Sequence, residues 1–142
     1  MRNESAAPAL SSPAPHRKVA SFEDLIAWQK ARALTRAITE LAGNPPVSRK
    51  FAFRDQIERA AVSVMSNIAE GYERGSRAEF HHMLSISKGS CAEVRSLLYV
   101  ALDAAYISET QFQDLMGQAN ETSRVIGALR ASVGRQRDEN KA

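Results

Sequence analysis

The amino-acid sequence predicts an all-α protein, an antiparallel up-down four-helix bundle. Three observations carry that expectation. Four segments repeat apolar residues at alternating spacings of three and four, the period of a helix with one buried stripe. Capping, glycine or proline signals bound the segments, and the connections between them are short. No segment alternates apolar and polar residues for long enough to make a strand. The chain has 142 residues, the size of one domain.

Residues 1–20 are rich in Ala, Pro and Ser and lack apolar periodicity, so they are expected to form a disordered tail. The bundle is expected over residues 21–135, and a frayed polar tail over 136–142. Ser21 opens the first helix, with Asp24 placed as a variant capping box. Its stripe is Ala27, Ala31, Leu34, Ile38 and Leu41, flanked by Leu25 and Trp28. Gly43 and Asn44-Pro45-Pro46 end it.

The second helix begins near Phe51–Phe53. Its stripe is Phe53, Ile57, Ala61, Val64 and Ile68, and Gly71 is the natural residue to end it. Ser76-Arg77-Ala78-Glu79 is a full capping box for the third helix. There Phe80, Leu84, Ser87, Cys91, Val94, Leu98, Ala101 and Ala105 line one face, and Gly89-Ser90 reads as a site of close helix approach. Ser108 and Gln111 open the fourth helix. Phe112, Leu115, Ala119, Thr122, Ile126, Leu129 and Val133 continue the pattern.

The second helix has an excess of apolar surface. Ala60–Ala69 contains no charge. Stepped at 100° per residue, Ala60, Ala61, Val62, Val64, Met65, Ile68 and Ala69 cover an arc of about 200°, twice what a one-sided helix needs. Gln56, Ser63, Asn67 and Glu70 fill the remaining face. Two readings stand. Either a second subunit covers this face and meets its polar stripe, or the stripe is satisfied within the chain. Trp28 is likewise either an interface anchor or the edge of the core.

The net charge is +3, but the body from Phe22 to Val133 carries thirteen basic and thirteen acidic residues. The basic excess therefore sits in the tails, and a uniformly basic nucleic-acid binder is not indicated. The best local basic patch is Arg49, Lys50, Arg54 and Arg59, diluted by Asp55 and Glu58. It is the candidate contact for RNA or DNA phosphates, and repetition in an oligomer would strengthen it.

Little else suggests chemistry. No P-loop, dinucleotide fingerprint, zinc-protease motif or nucleophile elbow occurs. Glu79-x-x-His82 is half of a di-iron bundle motif, with no second copy. Cys91, the single cysteine, falls on an apolar stripe away from any base. No catalytic residue, metal ligand, cofactor or small-molecule substrate is expected. No apolar run is long enough to span a membrane, no secretory signal is seen, and the expected location is the cytoplasm.

Phe22-x-x-Leu25-x-x-Trp28, Gln56-Ile57-x-Arg59-Ala60-Ala61-x-Ser63, Asn67-Ile68-Ala69-Glu70-Gly71, Ser76-x-x-Glu79-Phe80 and Lys88-Gly89-Ser90-x-x-Glu93 together resemble one family. It is the bacterial four-helix-bundle family encoded in intervening sequences of 23S ribosomal RNA genes. The chain also resembles the accessory variability protein of diversity-generating retroelements. The resemblance runs from about Phe22 to Val133. It implies a homo-oligomer, typically a pentamer, of bundles arranged as a barrel, with no established enzymatic activity. For the retroelement relatives it implies binding to nucleic acid and to a reverse transcriptase through a basic surface. The neutral body departs from those basic relatives and favours the intervening-sequence branch. The alternatives are a protein-binding adaptor without nucleic acid and, more remotely, a small helical-bundle enzyme.

Overall fold

Ser21 begins a turn rather than an α-helix. In the computed structural model, which describes residues 18–139 and side chains through residue 135, the Asp24 carboxylate accepts hydrogen bonds from the Ala20 and Ser21 N–H groups at 2.9 and 3.2 Å. A 3-10 turn follows over Phe22–Asp24. Leu25 then leaves helical geometry, with ψ 124° and its side chain buried, and helix α1 runs over Ile26–Ala42. The Ser21–Asp24 capping signal therefore starts a three-residue turn, not the first α-helix. The N-terminal tail up to residue 17, and the C-terminal tail past residue 139, lie outside the described residues.

Helix α1 buries Ala27, Ala31, Leu34 and Ile38 as the spacing predicts, but Ala42 takes the place expected for Leu41, which is half-buried. Its last carbonyls are satisfied locally. The Gly43 N–H donates to Thr39 O, and Asn44 Nδ2 donates to Glu40 O at 2.8 Å. A second 3-10 turn, Val47–Arg49, pins the connection by burying Val47 completely.

Helix α2 spans Phe51–Glu73 and buries Phe53, Ile57, Ala60, Ala61, Val64 and Ile68. It does not stop at Gly71. That glycine is buried inside the helix, and a Cβ built on it would stand 2.6 Å from Met83 Cβ. Its missing side chain lets two helix backbones approach. The turn is made instead by Gly75, which has φ 80° and open space around it.

Helix α3 spans Arg77–Asp103, and Ser76 Oγ accepts the Glu79 N–H at 3.0 Å as the capping box requires. Its buried set is Leu84, Ser87, Cys91, Val94, Leu98 and Ala101, joined by Met83. Phe80 is only half-buried, edge-on to Tyr72 at 5.9 Å. The Ser87 hydroxyl is satisfied by donating to Val64 O at 2.7 Å. Gly89 does not serve a close approach, because nothing lies within 4 Å of its Cβ position.

Ala105 is not on the stripe either. It is exposed, at φ 59°, where the chain leaves α3. The Tyr106 N–H donates to Ala101 O at 2.8 Å and the Ala105 N–H to Leu102 O at 3.0 Å, the paired bonds of a Schellman motif. A left-handed backbone costs a non-glycine residue roughly 1–2 kcal/mol, part of which glycine returns through its greater freedom when unfolded. Ala105→Gly is therefore expected to stabilise the fold by about 0.5–1 kcal/mol, measured by urea unfolding. A loss of stability would mean that the Ala105 methyl matters more than its backbone.

Helix α4 spans Glu109–Glu139. Ser108 Oγ accepts the Gln111 N–H at 3.1 Å and Gln111 Oε1 accepts the Ser108 N–H at 2.9 Å, so the second capping box is reciprocal. Phe112, Leu115, Ala119, Thr122, Ile126 and Val133 are buried, with Leu129 half-buried. Each helix packs against its neighbours in the chain, α4 closes back onto α1, and the diagonal pairs stay apart. The result is an all-α, antiparallel up-down four-helix bundle around one core, with no strand among the described residues.

Candidate interface and basic surfaces

The core uses only part of the apolar arc of α2. Ala60, Ala61, Val64 and Ile68 are buried, Met65 and Ala69 are half-buried, and Val62 is 48% exposed. The uncovered part flanks α1, where Met65 shares a groove with Arg32, Thr35 and Thr39.

The polar stripe lies on the other flank of α2, against α3. Asn67 Nδ2 donates to Ser63 O at 2.7 Å and to Ser63 Oγ at 2.8 Å. Ser63 Oγ in turn stands 2.9 Å from Ser90 Oγ of α3. Ser63 and Asn67 are thus bonded within the chain, as the second of the two sequence readings has it. Gln56 and Glu70 are exposed at either end of the stripe. Glu70 pairs with Arg74 at 2.5 Å, a hydrogen bond and charge that hold the guanidinium pKa above its ordinary value. Trp28 stands apart on α1, half-buried, edge-on to Phe22 at 5.2 Å and with Arg32 5.7 Å above its ring.

Helix α3 contributes residues to this face that the sequence reading overlooked. Ile86, Ser90, Glu93, Leu97 and Val100 recur at 4-3-4-3 spacing, so they share one stripe with Ser90 at its contact with Ser63. Ile86 is 41% and Val100 48% exposed, and Leu97 is half-buried. Leu97 and Val100 line a groove with Phe51, Gln56 and Tyr106. The signal was a second apolar period on α3, hidden beside the stronger core period.

The basic patch at the start of α2 is partly spent on local contacts. Arg54 lies 3.4 Å from Asp55, donates to Ser48 O at 3.2 Å, and sits 5.0 Å over the Phe51 ring. The Lys50 ammonium is 5.6 Å over Tyr106. Arg49 and Arg59 are exposed, but Arg59 lies about 140° round the helix from Arg54. The structure does not bring all four together.

A different set of cations meets along the seam of α3 and α4. Arg130 Nε donates to Ser85 Oγ at 2.7 Å. Lys88 Nζ lies across Gly127, 3.1 Å from where a Cβ would be, and the His81 ring lies across Gly134 at 3.3 Å. Arg95 Nε is buried with no hydrogen-bond partner. The sequence signal was the seven-residue spacing of His81, Lys88 and Arg95.

Cys91 is buried and its Sγ donates to Ala119 O at 3.3 Å. Burial pushes the thiol pKa up, with Arg95 and Lys88 opposing it. That favours the inert thiol over the nucleophilic thiolate. Glu79 and His82 are both exposed near the start of α3. Among the described residues, no three His, Cys, Asp or Glu side chains gather to hold a metal ion. No described helix is long and apolar enough to cross a membrane.

The family model described as 23S rRNA-intervening sequence protein matches residues 23–128. The fold is also similar to the crystal structure of a protein with unknown function from the S23 ribosomal protein family of Bacteroides thetaiotaomicron. That likeness has a TM-score of 0.68 at 21% identity, over 74% of this chain and 98% of the other, and it is a likeness of fold. No curated protein matches the chain.

Proposed function

Since the chain belongs to the 23S rRNA-intervening sequence protein family, we propose that it is a non-enzymatic helical scaffold of the cytoplasm that self-associates and works beside RNA, DNA or a ribonucleoprotein. The pentamer implied by the family resemblance is the assembly proposed. Kinship with the retroelement accessory protein would add a reverse transcriptase as partner, but the neutral body argues for the intervening-sequence branch.

One observation supports self-association above the others: the uncovered stripe of Ile86, Leu97 and Val100 beside Gln56, Ser63 and Asn67. Exposed apolar side chains aligned on one face gain free energy when a neighbour covers them, about 25 cal/mol per Å². The internal bonds of Ser63 and Asn67 favour the covering. The Asn67 amide already has its acceptors and the Ser63 and Ser90 hydroxyls bond each other, so a neighbour can close over them with the amide donor paired.

Light scattering on the full chain is expected to give about five times the 15.6 kDa protomer mass. A particle of protomer mass at high concentration would remove the scaffold reading. The balanced charge of the body favours one rival, an adaptor that binds protein and no nucleic acid. Retention on immobilised RNA or DNA that falls with salt separates the two.

A further inference from the structure

Along the outer seam of α3 and α4, charges of one sign collect. The cations Lys88 and Arg95 stand in a row with the His81 ring on one flank of α3, about 10 Å apart. Gly134 and Gly127 of α4 make room for His81 and Lys88. Arg130 reaches into the row from α4 and is held by Ser85. The row ends at Tyr99, one turn past Arg95. Tyr99 is 55% exposed, and its ring is propped against Phe112 at 5.1 Å.

Among the described residues, three carboxylates of these helices are placed away from the row. Glu79 is turned toward Arg74, Glu121 is held by Arg124, and Glu93 lies about 160° round the helix from Arg95. Among the described residues, Lys88, Arg95 and Arg130 enter no ion pair. Cations gathered without counter-charge repel one another, and Arg95 Nε lacks even a neutral acceptor. The arrangement is completed by an extended anion with regularly spaced charges.

We propose that the α3–α4 seam binds the phosphate backbone of single-stranded nucleic acid, with Lys88, Arg95 and Arg130 meeting phosphates and Tyr99 stacking on a base. This rests on the nucleic-acid part of the proposed function and moves it away from the start of α2. The exposed ring selects the strand form. Bases of a duplex are stacked on one another, whereas an unpaired base offers its face to an aromatic side chain.

The test is fluorescence anisotropy of the full chain with labelled single-stranded RNA, single-stranded DNA and duplex RNA over a salt series. Single strands are expected to bind at least about tenfold more tightly than duplex. Three phosphates met give a log–log salt slope near −2, at about −0.7 each. Lys88→Glu is expected to weaken binding about tenfold or more and to flatten that slope by about 1. Tyr99→Ala is expected to weaken it about tenfold with the slope unchanged, and Tyr99→Phe to restore it. Arg49→Glu should stay within about twofold of the parent. Lys88 and Tyr99 are both exposed, so the variants are expected to fold, which circular dichroism checks. Single-strand binding that ignores both the Lys88 and Tyr99 changes overturns the seam and leaves the nucleic-acid reading standing. Preference for duplex overturns the strand form, and competition by polyglutamate as strong as by RNA overturns nucleic acid as the occupant. No binding at low salt overturns both the seam and the nucleic-acid part of the proposed function, while self-association is untouched.

Discussion

Gly71→Leu is expected to lower the stability of the bundle by about 3 kcal/mol, the upper end of what overpacking costs. Any side chain at this position grows from the α2 backbone directly at α3. The first atom added would lie 2.6 Å from Met83 Cβ and 3.2 Å from the Phe80 ring. Met83 Cβ is fixed to its own backbone and cannot swing aside, so the helices must separate. Gly71→Ala brings the same clash with fewer atoms. It also gains about 1 kcal/mol of helix propensity, so the net loss is smaller, about 1 kcal/mol. Gly117→Ala is the matched control, because nothing lies within 4 Å of that Cβ position. It is expected to gain about 0.5–1 kcal/mol. Thermal unfolding checks the set, and equal effects at Gly71 and Gly117 would mean that the close approach of α2 and α3 has no energetic weight.

That contrast also explains which parts of the fold can be read from sequence. The core stripes follow from one-dimensional spacing, and Leu34, Ile57, Val94 and Ile126 all fall where it places them. Ser76 and Ser108 announce their helices because the cap is a local bond over three residues. A glycine is different, since the same letter can mark a left-handed turn, a close approach or nothing. Gly71 looked like a stop, and only the position of Met83 shows that it is a contact. Val47 was missed because a three-residue turn has no period to detect. The candidate face was half readable. Gln56, Ser63, Asn67 and Glu70 could be placed on one side of α2, but the α3 residues beside them depend on how two helices are rotated against each other. The α3–α4 seam has the same origin. Its charges belong to two segments some forty residues apart, and a count along either helix does not bring Ser85 to Arg130.

Ser63→Arg is expected to reduce the assembly to its 15.6 kDa protomer while leaving the helices intact. Ser63 is half-buried, so in a lone protomer the arginine stem can lie along the seam with its charge in water. The loss is the Ser90 contact and one Asn67 bond, about 1–2 kcal/mol. Under a covering neighbour the guanidinium would be taken out of water, uncompensated unless it reaches Glu93 on the α3 stripe. An uncompensated buried charge costs roughly 3–5 kcal/mol, enough to shift association by two to three orders of magnitude at each interface. Asn67→Leu acts more mildly, since it removes the donor to Ser63 but adds apolar surface to the same face. Its assembly is expected to weaken with helicity again unchanged. Val62→Glu completes the comparison, because Val62 is exposed on the outward face of α2, about 100° round the helix from Ser63 and nearer the Met65 flank. If the particle falls apart with Val62→Glu and survives Ser63→Arg, the α1–α2 flank holds the subunits together, and the face shared by α2 and α3 is left open in the assembly.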